Sequence, residues 1–237
     1  MPAAITTNTG FFIGEYAPKK FFYIFYNNFT ASARLCIIKV YSYLTTRRYR
    51  ERWGKMLKTM EQSERDTVLA VADLMVTAAK TAPKGSGKDT VVAAVVTGEE
   101  KERLSQAMRE LGEEYKEDFI IRDAGNVASS ICVVLIGCKD TPFGLDNCSM
   151  CGFKNCAEMK KAGTNCVFNV TDLGIAIGSA VSVAADNRID NRVMYSAGKG
   201  AIKIGFLPKE VKVCYGIPLN ATSKSIYFDR GPGSVLR

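Results

Sequence analysis

The chain has 237 residues, 47% hydrophobic and 24% charged, which supplies a buried core and excludes a mostly unfolded polypeptide. It contains no histidine, so imidazole-based catalytic triads, His-ligated haem and mixed Cys/His zinc sites are excluded. The net charge of +8 is held unevenly. Residues 1–59 carry ten Lys or Arg against Glu15 and Glu51, whereas the rest of the chain balances 22 basic with 22 acidic residues, so the body gives no ground for nucleic-acid binding.

Residues 1–59 also hold 13 of the 23 aromatics, including the run Phe21-Phe22-Tyr23-Ile24-Phe25-Tyr26. The longest uncharged stretches there, 1–14 and 21–33, fall short of the roughly 20 residues that span a bilayer. The segment reads as a surface anchor, as an extension packed on the body, or as a poorly ordered tail ahead of a true start at Met56 or Met60. The abrupt change of composition near Met60 favours the last. Membrane contact is expected only if this extension is real. The basic group Arg47-Arg48-Tyr49-Arg50 is expected to be a solvated tail. The body is taken as 60–237.

In the body, Ser63-Glu64-Arg65-Asp66 predicts a helix start, followed by Val68, Leu69, Ala72, Leu74, Met75, Val76 and Ala79 at helical spacing and ended by Ala82-Pro83 and Gly85-Ser86-Gly87. Val91 to Val96 predicts a buried strand. Glu99 to Lys116 predicts an amphipathic helix with Leu104, Met108, Leu111 and Tyr115 on one stripe. Ile131 to Ile136 predicts the most buried strand, ended by Gly137. Residues 170–186 are small and apolar almost throughout and predict a helix buried on all sides, with Asp172 and the glycines arguing against a membrane span. A short strand around Val193, a helix over 199–205 and a last strand over Val211 to Tyr215 follow. The alternation of helices and strands predicts α/β or α+β with a layered sheet.

Eight cysteines lie at 36, 132, 138, 148, 151, 156, 166 and 214, five of them within 138–166. Cys148, Cys151, Cys156 and Cys166 follow C-x2-C-x4-C-x9-C. Thiolates are soft ligands, and four of them complete a set for iron or zinc. A disulfide framework needs an oxidising compartment, and no export signal is visible. Zinc sites built from four cysteines usually present two C-x2-C knuckles, and this chain has one. The pattern therefore favours an iron–sulfur cluster over zinc, with Gly152 freeing the backbone to hydrogen-bond to sulfide. Cys138 is the alternative fourth ligand, expected to be a passive thiol.

The segment Cys-x-x-Cys-Gly-Phe-x-x-Cys followed by Ala-Glu resembles the 4Fe-4S loop of Rnf-type electron-transfer subunits and of the corrinoid iron–sulfur protein. In the Rnf-type loop the fourth cysteine lies further from the third than Cys166 does. The body more closely resembles an uncharacterised prokaryotic family described as containing a ferredoxin domain. The matching pieces include Thr81-Ala82-Pro83-Lys84, Ile121-Arg122-Asp123-Ala124, Gly144-Leu145-Asp146, Asp172-Leu173-Gly174-Ile175-Ala176, Asp190-Asn191-Arg192-Val193, Gly216-Ile217-Pro218-Leu219 and Phe228-Asp229-Arg230.

The order of elements is also similar to the flavin-dependent nitroreductase fold, which implies an α+β, nitroreductase-like layered domain with an inserted Cys-rich loop at 144–166. That resemblance implies a homodimer, with the 170–186 helix as the buried dimer helix, and FMN contacted by Lys84, Ser86 or Lys88. The usual Ala-Pro-Ser-x-x-Asn flavin contact is here Ala-Pro-Lys-Gly-Ser-Gly-Lys, and the arginine-rich phosphate-binding start is missing.

The expected function is a cytoplasmic electron carrier holding a 4Fe-4S cluster on Cys148, Cys151, Cys156 and Cys166 and serving a redox partner protein. An FMN-dependent oxidoreductase with an accessory cluster is the second reading, and a zinc-stabilised interaction domain the third.

Overall fold

A computed structural model describes residues 57–228. The readings placed on the aromatic run, on Arg47-Arg48-Tyr49-Arg50, on Cys36 and on Asp229-Arg230 lie outside the described residues, as does nearly all of the 1–59 extension.

Helix α1 (Met60–Thr81) begins ahead of the expected Ser63. Thr59 is its N-cap. The Thr59 hydroxyl accepts from the Gln62 N–H, and the Gln62 side chain accepts from the Thr59 N–H, both at 3.2 Å. This reciprocal capping box satisfies two backbone donors that a helix start otherwise leaves open. A single-turn 3-10 segment over Gly85–Gly87 leads to β1 (Val91–Val96). Helix α2 (Gly98–Tyr115) follows and ends at Lys116 in the left-handed conformation.

Helix α3 (Asp118–Ser129) has no counterpart among the expected elements. Ile120, Ala124 and Val127 recur on its buried face at helical spacing. Lys101 of α2 is buried here. Its Nζ donates to the carbonyls of Ala128 and Ser130 at 2.6 and 2.7 Å, which closes the end of α3.

Strand β2 (Cys132–Lys139) is the spine of the sheet, and it runs past Gly137, the expected end. Its side chains alternate between two cores. Cys132, Val134, Ile136 and Cys138 enter one; Val133 and Leu135 enter the other. A strand buried on both faces reads as a continuous apolar run, which makes it the plainest strand in the sequence.

The sheet order is β1-β2-β4-β3, with β3 (Asp190–Asn191) and β4 (Val211–Asn220) completing an antiparallel array. Strand β4 extends five residues beyond the expected Tyr215, and the strand expected around Val193 is instead β3 plus a bridge from Met194 to Gly216.

Helices cover both faces. Helix α5 (Val167–Asp186) packs with α1 over one core, which holds Val71, Met75, Leu173, Ala176 and Ala180. Helices α2, α3 and α6 (Tyr195–Lys203) cover the other, with Leu104, Met108, Ile120 and Ala201. The domain is thus α+β and layered, as expected.

Two corrections concern helices. Helix α5 is not buried on all sides. Val170, Gly174, Ile175, Gly178, Ser182 and Ala185 face outward, because a helix of small apolar residues carries no polar stripe to mark its exposed side. It is also the one described helix long and apolar enough to cross a membrane, yet its inner face packs on α1 and the sheet. Helix α6 starts four residues before the expected 199, at Tyr195. It lies so close to β4 that a Cβ on Gly198 would stand 1.8 Å from the Cys214 carbonyl oxygen.

Candidate metal centre

The segment between β2 and α5 leaves the sheet at Lys139 and is built almost entirely of turns. Gly144, Asn147, Ser149, Gly152 and Gly163 all have positive φ. Asn147 and Ser149 are the informative pair, because side-chain-bearing residues rarely adopt this conformation and both flank Cys148. The Gly152 N–H donates to the Ser149 carbonyl at 3.0 Å, closing the turn that holds Cys151. Asn155 caps the six-residue helix α4 (Cys156–Lys161) by accepting from the Glu158 N–H at 2.9 Å. Cys156 is therefore the first residue of one helix, and Cys166 is the N-cap of α5.

Cys148, Cys151, Cys156 and Cys166 all line one concavity that opens to solvent. The first three are partly exposed, Cys166 is buried, and all four are free thiols. Phe143, Phe153, Met159 and Phe168 complete an apolar wall, with Phe143 stacked on Phe168 at 5.0 Å between ring centroids. The four sulfurs share the concavity without being gathered as ligands of one ion: among the described residues no group of three or more His, Cys, Asp or Glu side chains is. A single zinc needs all four sulfurs at about 2.3 Å from one centre. A cluster with a separate iron behind each thiolate takes a wider set. Four thiols on one concavity are the donor chemistry that an iron–sulfur cluster or a zinc ion would take, and the positive end of α5 lies at Cys166, its N-cap.

The other described cysteines are different. Burial pushes the thiols of Cys132 and Cys214 up to about 12 and that of Cys138 up to about 11, the last helped by nearby Asp140, Asp172 and Cys166. All three sit on the sheet, and Cys138 does not line the concavity.

The turn expected to meet a flavin lies against the same wall. The Lys84 amine donates to the carbonyls of Ala79, Lys80 and Ala82 at 2.9, 2.7 and 2.8 Å, and so closes the end of α1. The Lys88 amine donates to the Phe143 carbonyl at 2.8 Å. Ser86, at φ 53°, makes no side-chain hydrogen bond within the described residues. Two residues of α5 brace the site, and sequence reasoning singles out neither for this. The Asn169 amide donates to the carbonyls of Lys139 and Thr141, and Asp172 accepts the Gly85 N–H on both carboxylate oxygens at 3.0 and 3.1 Å. Two polar residues three apart on the buried face of an apolar helix are the available signal.

Known proteins bear on this arrangement. An uncharacterized protein of Archaeoglobus fulgidus is 44% identical over 186 residues, covering 75% of this chain and 99% of that one. Residues 162–230, which include Cys166, α5, α6 and β4, match a family described as "uncharacterized protein containing a ferredoxin domain". This chain belongs to that family. The matched stretch of the ferredoxin-domain family begins after Cys148, Cys151 and Cys156.

Among solved structures, nitroreductase CinD of Lactococcus lactis is 12% identical with a TM-score of 0.45, over 72% of this chain and 82% of that one. The hypothetical oxidoreductase YcnD of Bacillus subtilis is 15% identical with a TM-score of 0.44, over 66% of this chain and 58% of that one.

Proposed function

We propose that this protein carries single electrons on a 4Fe-4S cluster ligated by Cys148, Cys151, Cys156 and Cys166. The observation that carries the reading is that these four thiols, and none of the three sheet cysteines, line one concavity. When bound, the cluster supplies a one-electron couple whose potential depends on burial, charge and hydrogen bonds to sulfur. The chain contributes the rest. Turns at Asn147, Ser149 and Gly152 are of the kind that cluster backbone N–H groups around an anionic centre. Phe143, Phe153 and Phe168 keep water from the inner side, while the partly exposed cysteines leave an edge open to a partner protein. Membership of a family named for a ferredoxin domain supports the same reading.

Cys151→Ser tests it. Anaerobically prepared wild type is expected to be brown, with iron and sulfide in equal amounts. The variant is expected to lose both the colour and the iron, and retention of full iron and sulfide would end the assignment.

A second reading adds FMN beside the cluster, and one observation favours it: the 84–88 turn abuts Phe143, which walls the cysteine concavity. Both lysine amines of that turn already bind backbone carbonyls, so a flavin phosphate would have to displace them. In this reading two copies meet on the outward apolar side of α5. Titration of FMN into the protein, read by quenching of flavin fluorescence, separates the two readings. Saturable, stoichiometric binding supports the flavin; none, with the cluster intact, leaves the simple carrier.

A further inference from the structure

The 84–88 turn and α5 hold a single ring from two sides. Phe143 is buried, forms a small apolar group with Met159 and Cys166, and stacks on Phe168. The Lys88 amine donates to its carbonyl and stands 5.5 Å from its ring centroid. Gly85 touches the ring so closely that a Cβ there would lie 2.7 Å from Phe143 Cε1 and 3.0 Å from Cζ. Gly85 is itself fixed by its N–H, which donates to both oxygens of Asp172, a residue 3% exposed on the inner face of α5.

We propose that Asp172 is a positioning residue for the metal centre: it latches the 84–88 turn, the turn presses Phe143 into place, and Phe143 sets how far water reaches Cys166 and the group it binds. The inference rests on the cluster reading for its consequence but not for its geometry.

The turn is therefore joined to α5 and to Phe143 by few contacts. Its connection to α5 is one N–H shared by a carboxylate, and its connection to Phe143 is one ammonium and one close contact. Each can be altered without touching a ligand. Gly85→Ala is the cleanest change, because it adds no charge, the Gly85 backbone is not left-handed, and the clash falls on the far end of an aromatic ring that can swing outward. Lys88→Met acts from the exposed side, where the sheet and both cores are untouched. Asp172→Asn keeps the shape and one acceptor, so it is the conservative partner of Asp172→Ala.

The experiment has two arms. In metal-free, reduced full-length protein, the alkylation rate of each cysteine by N-ethylmaleimide is followed by mass spectrometry. Cys166 is expected to react about tenfold faster in Gly85→Ala, Lys88→Met and Asp172→Ala, a local opening, with Asp172→Asn closer to wild type. Cys132 and Cys214, deep in the two cores, are expected to keep their wild-type rates. Unchanged Cys166 reactivity overturns the proposal, and so does an equal rise at all three thiols, which would mark general loosening.

The second arm uses protein carrying its cluster. Water stabilises the more negative reduced state, so Gly85→Ala is expected to raise the reduction potential, and an unmoved potential overturns the claim that Phe143 controls solvent access. If no variant, wild type included, binds iron, the cluster reading fails while the thiol arm still decides the latch.

Discussion

The seven described cysteines fall into two groups that differ in nothing but placement. Cys132, Cys138 and Cys214 lie on β2 and β4, where hydrogen-bonded neighbours and two apolar cores surround them, and burial holds their thiols protonated. Cys148, Cys151, Cys156 and Cys166 lie on turns and at helix starts, facing one open concavity. A thiol in regular structure behaves as a small apolar side chain. A thiol on a turn can be brought to a common centre with others.

The largest break in that contrast would come from exchanging the roles of the two groups. Cys148→Ser or Cys151→Ser is expected to abolish iron binding, whereas Cys214→Ala is expected to leave iron content unchanged. Iron analysis after anaerobic preparation decides it.

The sheet side is tested next by Gly198→Ala. The added Cβ meets the Cys214 backbone carbonyl, which cannot move without disturbing β4. A loss of about 3 kcal/mol of stability is expected, measured by chemical denaturation.

A subtler mark of the buried thiols is pH dependence. Cys132 and Cys214 are pushed up to about 12 in the folded protein, against roughly 8.5 for an unfolded chain. The folded state then holds protons that the unfolded state has released. Stability is therefore full below about pH 8.5 and falls as pH rises towards 12, each thiol contributing at most about 1.4 kcal/mol per pH unit. Denaturation midpoints between pH 8 and 11 should show this slope, and Cys214→Ala should flatten it. The smallest effect belongs to the helix start: Thr59→Ala removes the capping box of α1 and is expected to cost about 1 kcal/mol.

How much of this is readable from sequence depends on the range of the interactions. Strand β2 and helix α2 are legible because their own residues carry the pattern. Helix α3 carries the same kind of local signal, Ile120, Ala124 and Val127 at i, i+4 and i+7, which the expected elements above leave out. The four pocket cysteines are legible from spacing alone, since a single excursion carries them all. The braces are not. Asp172 meets Gly85 across 87 residues and Asn169 meets Lys139 across 30, and no local pattern records a partner at that distance. Lys84 and Lys88 draw attention only through the resemblance to the nitroreductase fold, and the structure gives their amines to carbonyls of α1 and Phe143.

The turns between Lys139 and α5 have a small apolar group of their own, Phe143, Met159 and Cys166, separate from the two cores that hold the sheet. The loop thus has packing of its own, to which Cys151, Phe153 and Phe168 add partly buried surface, so two of the four concavity thiols, Cys151 and Cys166, sit within a single local apolar group.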